Sequence, residues 1–402
     1  MREDFWFIEP LEPIIARDGR QFGRGGGASA RSLDFPFPST ATGVARARTM
    51  LSMAGGDTGE FSGGRGHVLA KRALSAVRVK GPLFARMSIS GEIEILPPAP
   101  ADAVIVAGTG SDGSNASNTT EIIPLRPIAI PDGYFTNAPE AGICGMVKQT
   151  AAKPHKRSPR FWNWSDYLAW LAGSDSREVN VKRLGTNGPA LDRRTHVEID
   201  RKAKAGVDRM LFETLGLDFG SRDGNRYGML IHTLQRDDEA IVDEGLAPFG
   251  SERRLTAWLR APENSFPQCP PEIRESILEN KACRMILLTP ALFERGWRPK
   301  WLTENAKGSK PILVAAAVKG YRVVSGFSLQ LGKPRPTRRL CPAGSVFFLR
   351  FEDDHERINR WIDKYWFGCV SDEKHDRHDG FGLAALGTWD GKEISIGEAI
   401  SK

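Results

Sequence analysis

Four cations lie within seven positions in the second half of the chain, between two apolar runs. They are Lys333, Arg335, Arg338 and Arg339. Pro334 and Pro336 prevent regular pairing among them, because proline lacks an N–H and has a fixed φ. The flanking runs 327–331 and 346–351 have strand-like patterns, which predicts a hairpin with a rigid cationic turn. Such a turn can bind a phosphate chain, although a solvated charge cluster fits the same spacing.

A second group of cations belongs to another predicted hairpin, whose two strand patterns are joined by the polar loop 201–208. Arg193 and Arg194 lie on its first strand, directly before His196. If the two arginines held a strained phosphate, His196 could act as the general base of RNA cleavage. A histidine inside a strand is more often structural, so both interpretations stay open.

The sequence contains no complete nucleophile or metal motif. Gly-x-Ser-x-Gly is absent, and no cysteine has His and Asn partners in a suitable order. The five cysteines are scattered without a CxxC pair, which predicts neither a disulfide framework nor a zinc site. The segment His375–Asp379 (HDRHD) could ligate a metal, but on a charged loop its histidines would lack the helix that makes such pairs converge. We therefore expect no catalytic residue, no metal and no cofactor.

The composition predicts a soluble globular protein with an anionic partner. The 402 residues are 40% hydrophobic and 26% charged, with a formal net charge of +7. This length predicts two domains, and arginine, prominent among the cations, matches phosphate geometry. The opening residues MREDFWFIEP carry charges where a signal peptide would be apolar, and no stretch is long enough to span a membrane. We expect a protein of the reducing cytoplasm with no membrane contact.

The order strand, helix, strands, helix, strand occurs twice, which predicts the α+β class. The first helix opens at 36–39, with Ser39 or Thr40 as its cap. Its buried face is predicted to contain Val44, Ala47, Met50 and Leu51. A later helix at 355–367 should bury Ile358, Trp361, Ile362 and Tyr365. A strand followed by a capped helix is how a ferredoxin-like unit begins.

The predicted domains are 1–235 and 236–402, the first with insertions near 100–165 and the second with a glycine-rich loop. Within the insertions, the polar stretch 108–120 cannot form a core. The basic run 148–160 leads into aromatic residues that could stack on bases. These aromatics continue into a predicted helix, which favours a place in the core.

Several segments in order resemble the third-subunit family of the type III-B CRISPR effector (Cmr) complex, a group of RAMP superfamily proteins. In the second half they are Gly250–Arg254 (GSERR), Leu287–Trp297 (LLTPALFERGW), Gly332–Arg339 (GKPRPTRR), Pro342–Phe348 (PAGSVFF) and Gly380–Trp389 (GFGLAALGTW). In the first half they are Pro10–Phe22 with its Arg-Asp-Gly-Arg, Pro38–Gly43, and His196–Asp200 through Leu211–Glu213. The resemblance covers most of the chain outside 100–165.

The resemblance implies two tandem ferredoxin-like (RRM-like, RAMP) domains with loop insertions and no catalytic site. It also implies a subunit in antiviral defence that holds the 5′ tag of the crRNA, docks on the large polymerase-palm subunit and abuts the backbone RAMP subunits. Residues and resemblance together give the RNA-binding candidates Arg17, Arg20, Arg24, Arg46, Arg193, Arg194, His196, Arg253, Arg254, Lys333, Arg335, Arg338 and Arg339. The alternatives are a metal-independent RAMP endoribonuclease that processes CRISPR repeat RNA, with His196 as base, and an adaptor that binds an acidic protein surface.

Overall fold

The computed structural model describes residues 2–17, 28–30, 32–56, 63–107, 120–131, 133, 142–236, 241–305, 308–325, 327–328, 333–334 and 336–395. The helices are α1 (Pro38–Met53), α2 (Gly63–Ala76), α3 (Trp164–Ala172), α4 (Val181–Leu184), α5 (Pro271–Asn280), α6 (His355–Tyr365) and α7 (Lys374–His378), with a π-helical turn at Trp301–Asn305. No helix within these described ranges is long and apolar enough to cross a membrane.

The strands of the first part of the chain are β1 (Arg2–Pro10), β2 (Ala28–Ala30), β3 (Val77–Met87), β4 (Ile93–Ile95), β5 (Ala103–Ala107), β6 (Thr120–Ala129), β7 (Cys144–Met146), β8 (Phe161–Trp162), β9 (Arg177–Val179), β10 (Gly185–Thr186), β11 (Ala190–Asp200), β12 (Ala205–Asp218) and β13 (Arg226–Gln235). Those that follow are β14 (Gly245–Phe249), β15 (Arg254–Ala261), β16 (Ala282–Leu287), β17 (Ile312–Ala317), β18 (Arg322–Val324), β19 (Phe327–Ser328), β20 (Lys333–Pro334), β21 (Arg338–Leu340), β22 (Val346–Arg350), β23 (Gly368–Cys369), β24 (Leu383–Thr388) and β25 (Ile394–Ser395). The fold is α+β.

The first large sheet has the order β14-β15-β1-β13-β3-β4, and all its neighbours are antiparallel. Strand β1 lies in the middle of this sheet. Its residues Trp6, Phe7 and Ile8 are all fully buried, which shows that both faces of the sheet are covered here. Trp6 and Ile8 pack in the cluster that contains Ala41 and Ala45 of α1. Phe7 points to the other face, into a core shared with the second large sheet.

The second large sheet has the order β17-β22-β16-β24-β23. Helices α5 and α6 pack on its β24 strand. Helix α6 begins at a true cap, since the Asp354 carboxylate accepts the Arg357 amide at 2.8 Å. The predicted apolar face of this helix is confirmed, because Ile358, Trp361, Ile362 and Tyr365 are all buried.

The insertion region ties the two sheets together. Trp162 and Trp170 are fully buried in the shared core, which confirms the prediction that the aromatics after the basic run anchor the core. Asp102 is fully buried and accepts hydrogen bonds from Arg284 of β16 (2.6 Å) and from the Trp170 indole (3.0 Å). Arg284 also donates to the Thr388 carbonyl at 2.8 Å, so one buried ion pair joins the insertion to two strands of the second sheet.

Strands β11 and β12 form a long antiparallel ribbon, with the short β2 parallel to β12. Most side chains of β11 are exposed, so the ribbon projects from the first sheet. The predicted hairpin at this place is confirmed. Its turn is shorter than expected, however, because the strands extend to Asp200 and from Ala205.

One pairing prediction in the second half was wrong, and two strands lie on the other side of the predicted boundary from the sheet that they join. Strand β22 pairs with β16 and β17 in the second sheet and not with the run at 327–331; locally β19 pairs with β20, and β18 with β21. Strands β14 and β15 join the first sheet through β1, although they follow the predicted boundary at 235/236. Both corrections involve partners distant in sequence, which a local pattern does not identify.

Two helix predictions also need correction. Helix α1 buries Pro38, Ala41, Thr42, Ala45 and Thr49 instead of the predicted face. Its N-cap is Phe37, without a side-chain hydrogen bond, and Pro38 opens the helix. The segment predicted as a charged loop at 375–379 forms most of the short helix α7.

A buried histidine in the first sheet predicts a pH dependence of stability. His232 is 4% exposed and stacks on Phe5, with ring centroids 4.2 Å apart. Burial, with Lys80 nearby, lowers the pKa of His232 to about 4 from 6.5, although the half-exposed Glu3 carboxylate lies 3.2 Å away. In the unfolded chain the His232 imidazole takes up a proton below pH 6.5, whereas in the folded chain it stays neutral down to about pH 4. The free energy of unfolding should therefore fall through this window, by about 2 kcal/mol at pH 5.

Urea unfolding at pH 7 and pH 5 measures this effect. The variant His232→Phe keeps an aromatic ring against Phe5 and removes the titrating group, so its stability should depend less on pH by the same amount. An equal pH dependence of the two proteins would contradict the assignment.

Candidate nucleic-acid interface

A cleft of about 1010 Å³ lies between the two large sheets. Its lining comes from segments 32–38 and 82–84, from parts of the insertion region at 98–105 and 158–162, and from 288–290 and 319–323. Prolines and apolar side chains line most of the cleft, and cations lie at Arg160, Lys319 and Arg322. Such a cleft can hold flat apolar groups and anions together.

One carboxylate holds two of these cations in place. The same oxygen of Asp34, Oδ2, lies 3.1 Å from Arg160 and 3.1 Å from Arg322. All three side chains are about half exposed, so water reaches the ion pairs. Lys319 is an exposed residue of the same lining, and partial desolvation lowers the pKa of its ammonium group. A phosphate entering the cleft would compete with Asp34 for the two guanidinium groups.

A cation and an aromatic ring are stacked beside this group. The guanidinium carbon of Arg339 lies 4.9 Å from the centroid of the Tyr321 ring. The stack forms because β18 and β21 pair with Val323 opposite Arg339. Tyr321 is 60% exposed although it is a large aromatic residue. An exposed ring with a stacked guanidinium is a suitable platform for a nucleic-acid base.

A second set of cations surrounds Glu12 at the base of the β11–β12 ribbon. The Glu12 carboxylate accepts the Leu255 amide at 3.0 Å and Arg254 at 2.8 Å. These two bonds lower the pKa of Glu12, and Arg194 adds to the effect. Arg253 beside them is exposed, with φ of 53°. Arg194, Arg253 and Arg254 are thus brought onto one surface from strands distant in sequence.

Strand β2 and residues 32–36 lie between this surface and the cleft. Strand β2 pairs with β12 from Phe212 to Thr214, next to the ribbon base. The backbone of Arg17 forms an isolated antiparallel β-bridge with Ser32, and Asp34 two residues later lines the cleft. The ribbon base and the cleft therefore lie along one continuous path, about which most of the described candidate cations are arranged.

Two predicted candidates are held by carboxylates of the α7 region instead of lying on this path. Arg46 is 12% exposed and pairs with Asp379 at 2.7 Å. Both terminal nitrogens of Arg338 contact the two oxygens of Asp376, which is 3% exposed. These pairs hold α7 against the rest of the fold, and Arg339 is the neighbour whose side chain faces Tyr321.

The candidates on the ribbon are split between its two faces. Residues alternate along a strand, so Arg194 and His196 share one face and Arg193 lies on the other. Arg193 contacts Glu213 at 3.1 Å, and Arg194 contacts Asp192 at 2.6 Å. The His196 ring stacks on Phe212, with centroids 5.0 Å apart, and shares a hydrogen bond of 2.8 Å with the Thr214 hydroxyl. The two arginines do not flank the histidine from one side.

The remaining candidates cannot be placed in this surface. Arg20, Arg24 and Arg335 lie outside the described residues, as does the side chain of Lys333, whose backbone belongs to β20.

The cleft residues Arg160, Lys319, Tyr321 and Arg322 were missed from sequence. Arg160 ends the basic run that was interpreted as a lead into the core. Lys319, Tyr321 and Arg322 form a short cationic and aromatic segment, Lys-Gly-Tyr-Arg, that could have been noticed. Within the described part of the chain, no group of three His, Cys, Asp or Glu side chains is arranged to hold a metal.

The chain was compared with protein families, curated proteins and solved structures. The model of the family described as CRISPR-associated protein (Cas_Cmr3) matches residues 6–389. No match occurs among curated proteins. A chain of the type III-B Cmr-beta complex bound to cognate target RNA and AMPPnP is 13% identical, with a TM-score of 0.43, over 89% of this chain and 87% of that one. A chain of the Csm3–Csm4 subcomplex of the type III-A interference complex is 12% identical, with a TM-score of 0.32, over 96% and 99%. At these TM-scores the structural likenesses carry no argument.

Proposed function

Because the chain belongs to the Cas_Cmr3 family of CRISPR-associated proteins, we propose that it is a non-catalytic RNA-binding subunit of a type III-B effector. It holds the 5′ tag of the crRNA and docks on the large polymerase-palm subunit, next to the backbone RAMP subunits. The family match confirms the resemblance found in the sequence. All five cysteines are free, which supports a cytoplasmic location.

Strand order supports two ferredoxin-like units. The first sheet contains the neighbours β15-β1-β13-β3, and the second contains β24-β16-β22-β17. If the four strands of each set are numbered along the chain, both sets have the spatial order 4-1-3-2. Each unit keeps one covering helix between strands, α1 in the first and α6 in the second. Because β15 pairs with β1, we place the division between the units after Ala261.

The stack of Arg339 on exposed Tyr321, beside Arg160 and Arg322 in the cleft, carries the proposal for RNA. The aromatic ring suits an unstacked base and the cations suit the neighbouring phosphates. The path from the cleft to the ribbon base offers further phosphate contacts. A single strand lying along it would be held by base stacking and by charge together.

Protein contacts are supported by the apolar side chains of the projecting ribbon. Val197 and Leu211 face each other across the strands and are 47% and 54% exposed, and Ile199 beyond them is 61% exposed. Exposed aliphatic residues on a projecting element are typical of an interface. We assign this ribbon to contact with another protein subunit.

A binding titration tests the proposed function. RNA carrying a repeat-derived 5′ tag and an untagged control are titrated at two salt concentrations, and the same samples are run on a denaturing gel. We expect tag-dependent binding without cleavage, weakened about a thousandfold between low and physiological salt if several phosphates are contacted. Cleaved RNA would favour the endoribonuclease alternative, and binding only to an acidic protein surface would favour the adaptor.

Replacing the Asp34 carboxylate of the cleft should raise the affinity for RNA, whereas most substitutions at a binding site lower it. Asp34→Asn removes a negative charge that competes with phosphate for Arg160 and Arg322. Affinity for RNA should rise about threefold to fivefold, the range of an exposed ion pair. Asp175→Asn, at an 88% exposed carboxylate outside the cleft lining, is the matched control and should change little. Equal effects of the two substitutions would mean that only net charge matters.

A further inference from the structure

A separate group of cations lies where the first sheet meets α7. Arg78 is the second residue of β3, and Arg236 directly follows β13. The Arg236 amide donates to the Ala76 carbonyl at 2.9 Å, so both arginines are at the same end of the paired strands. Lys374 and His378 are the first and last residues of α7, which packs against β3. We call Arg78, Arg236, Lys374 and His378 the α7 cation group.

The charges of this group act on one another. Burial, followed by the charges of Arg78, Lys374, Arg236 and Arg46, lowers the pKa of His378 to about 4. Burial, followed by Arg236, also lowers the pKa of Arg78. At neutral pH the group thus presents three positive charges and one neutral imidazole, which can donate an N–H.

Two carboxylates beside His378 are bound by other arginines. Asp379 pairs with Arg46 at 2.7 Å, and Asp376 is held by both terminal nitrogens of Arg338. Among the residues that the structure describes, the three charged members of the group have no ion pair, and the buried Nε of Arg78 has no hydrogen-bond partner. Arg236 and Lys374 are exposed, and Arg78 and His378 are half-buried. Like charges that lie close together without an anion between them repel one another. A bound anion would remove this repulsion.

We propose that the α7 cation group binds a phosphate group. Phosphate oxygens accept charge-assisted bonds from two guanidinium groups and one ammonium, and the fourth donor is the His378 imidazole. The site shares no residue with the cleft between the sheets, and the proposal does not depend on the proposed function. An RNA backbone and a free nucleotide present the same oxygens, so the experiment must distinguish these two sources.

The full-length protein is titrated with inorganic phosphate at constant ionic strength, with chloride as reference, by calorimetry and thermal unfolding. We expect saturable binding and a rise in unfolding temperature. The variant Arg236→Gln with Lys374→Gln should bind phosphate at least about tenfold more weakly. Arg201→Gln with Lys202→Gln, at the exposed ribbon tip, is the matched control and should bind like the wild type. The unfolding temperatures in chloride verify that all proteins are folded.

Two further titrations identify the source of the phosphate. If untagged RNA binds more weakly to the double variant, the RNA backbone supplies it; if only ATP does, a free nucleotide supplies it. The proposal is overturned if phosphate does not bind, or binds the double variant equally. It is also overturned if phosphate binds only after Asp237→Asn, Asp238→Asn and Glu239→Gln, because the chain's own acids would then neutralise the group.

Discussion

Replacing Asp102 by Ala should lower the free energy of unfolding by about 3–5 kcal/mol, the range for removing one partner of a buried ion pair. Asp102 and Arg284 are 0% and 1% exposed, so the substitution leaves a guanidinium buried without its counter-charge. The Trp170 indole loses its acceptor as well. Urea denaturation at pH 7 measures the loss.

Two controls separate the cost of an unpaired charge from the loss of packing. The double variant Asp102→Leu with Arg284→Met replaces both charges by apolar groups and should be more stable than Asp102→Ala. Arg357→Ala on α6 removes a 59% exposed partner of Asp353 and should cost about 1 kcal/mol or less. If Asp102→Ala is no less stable than Arg357→Ala, the expected cost of leaving Arg284 without its counter-charge is contradicted.

Reversing the charge of Arg322 in the cleft and of Arg339 beside it should weaken RNA binding by about a hundredfold. In Arg322→Glu with Arg339→Glu, a phosphate contact becomes repulsive and the stack on Tyr321 is lost. Base stacking alone contributes about 1–3 kcal/mol, and 1.4 kcal/mol is tenfold in affinity. The dependence of binding on salt should also become less steep, because fewer phosphates are neutralised.

The matched control carries the same charge change away from the cleft. Arg357→Glu with Arg360→Glu alters two exposed arginines of α6, neither of which lines the cleft. RNA affinity in this control should fall by much less, through net charge alone. Equal losses in both double variants would contradict a site in the cleft.

Sequence patterns predicted an element correctly where the residues that define its buried face all lie within that element. Helix α6 was predicted with its buried face because four large residues recur at helical spacing. The face of α1 was wrong because small residues, Ala41 and Ala45 among them, face the sheet. Small side chains permit close packing, but they do not stand out in a hydrophobic pattern.

Long-range pairing was the part that could not be predicted. Strand β15 was assigned to the second half by its position, yet it closes the first sheet beside β1. In the site, the sequence identified Arg339 as a cation but could not show its partner Tyr321, which comes from the paired strand region. The sequence also could not show that Arg46 and Arg338 form ion pairs with Asp379 and Asp376 at α7, so these two arginines were grouped with the cations proposed to bind RNA.

Photocrosslinking tests the central claim, that RNA is held in the cleft between the two sheets, most directly. A tagged RNA with 4-thiouridine at successive tag positions is bound to the full-length protein, irradiated, and the crosslinked peptides are identified by mass spectrometry. We predict crosslinks to the peptide containing Tyr321, lost in Arg322→Glu with Arg339→Glu. RNA that binds with tag preference but crosslinks only to the ribbon, or elsewhere outside the cleft, would contradict the account.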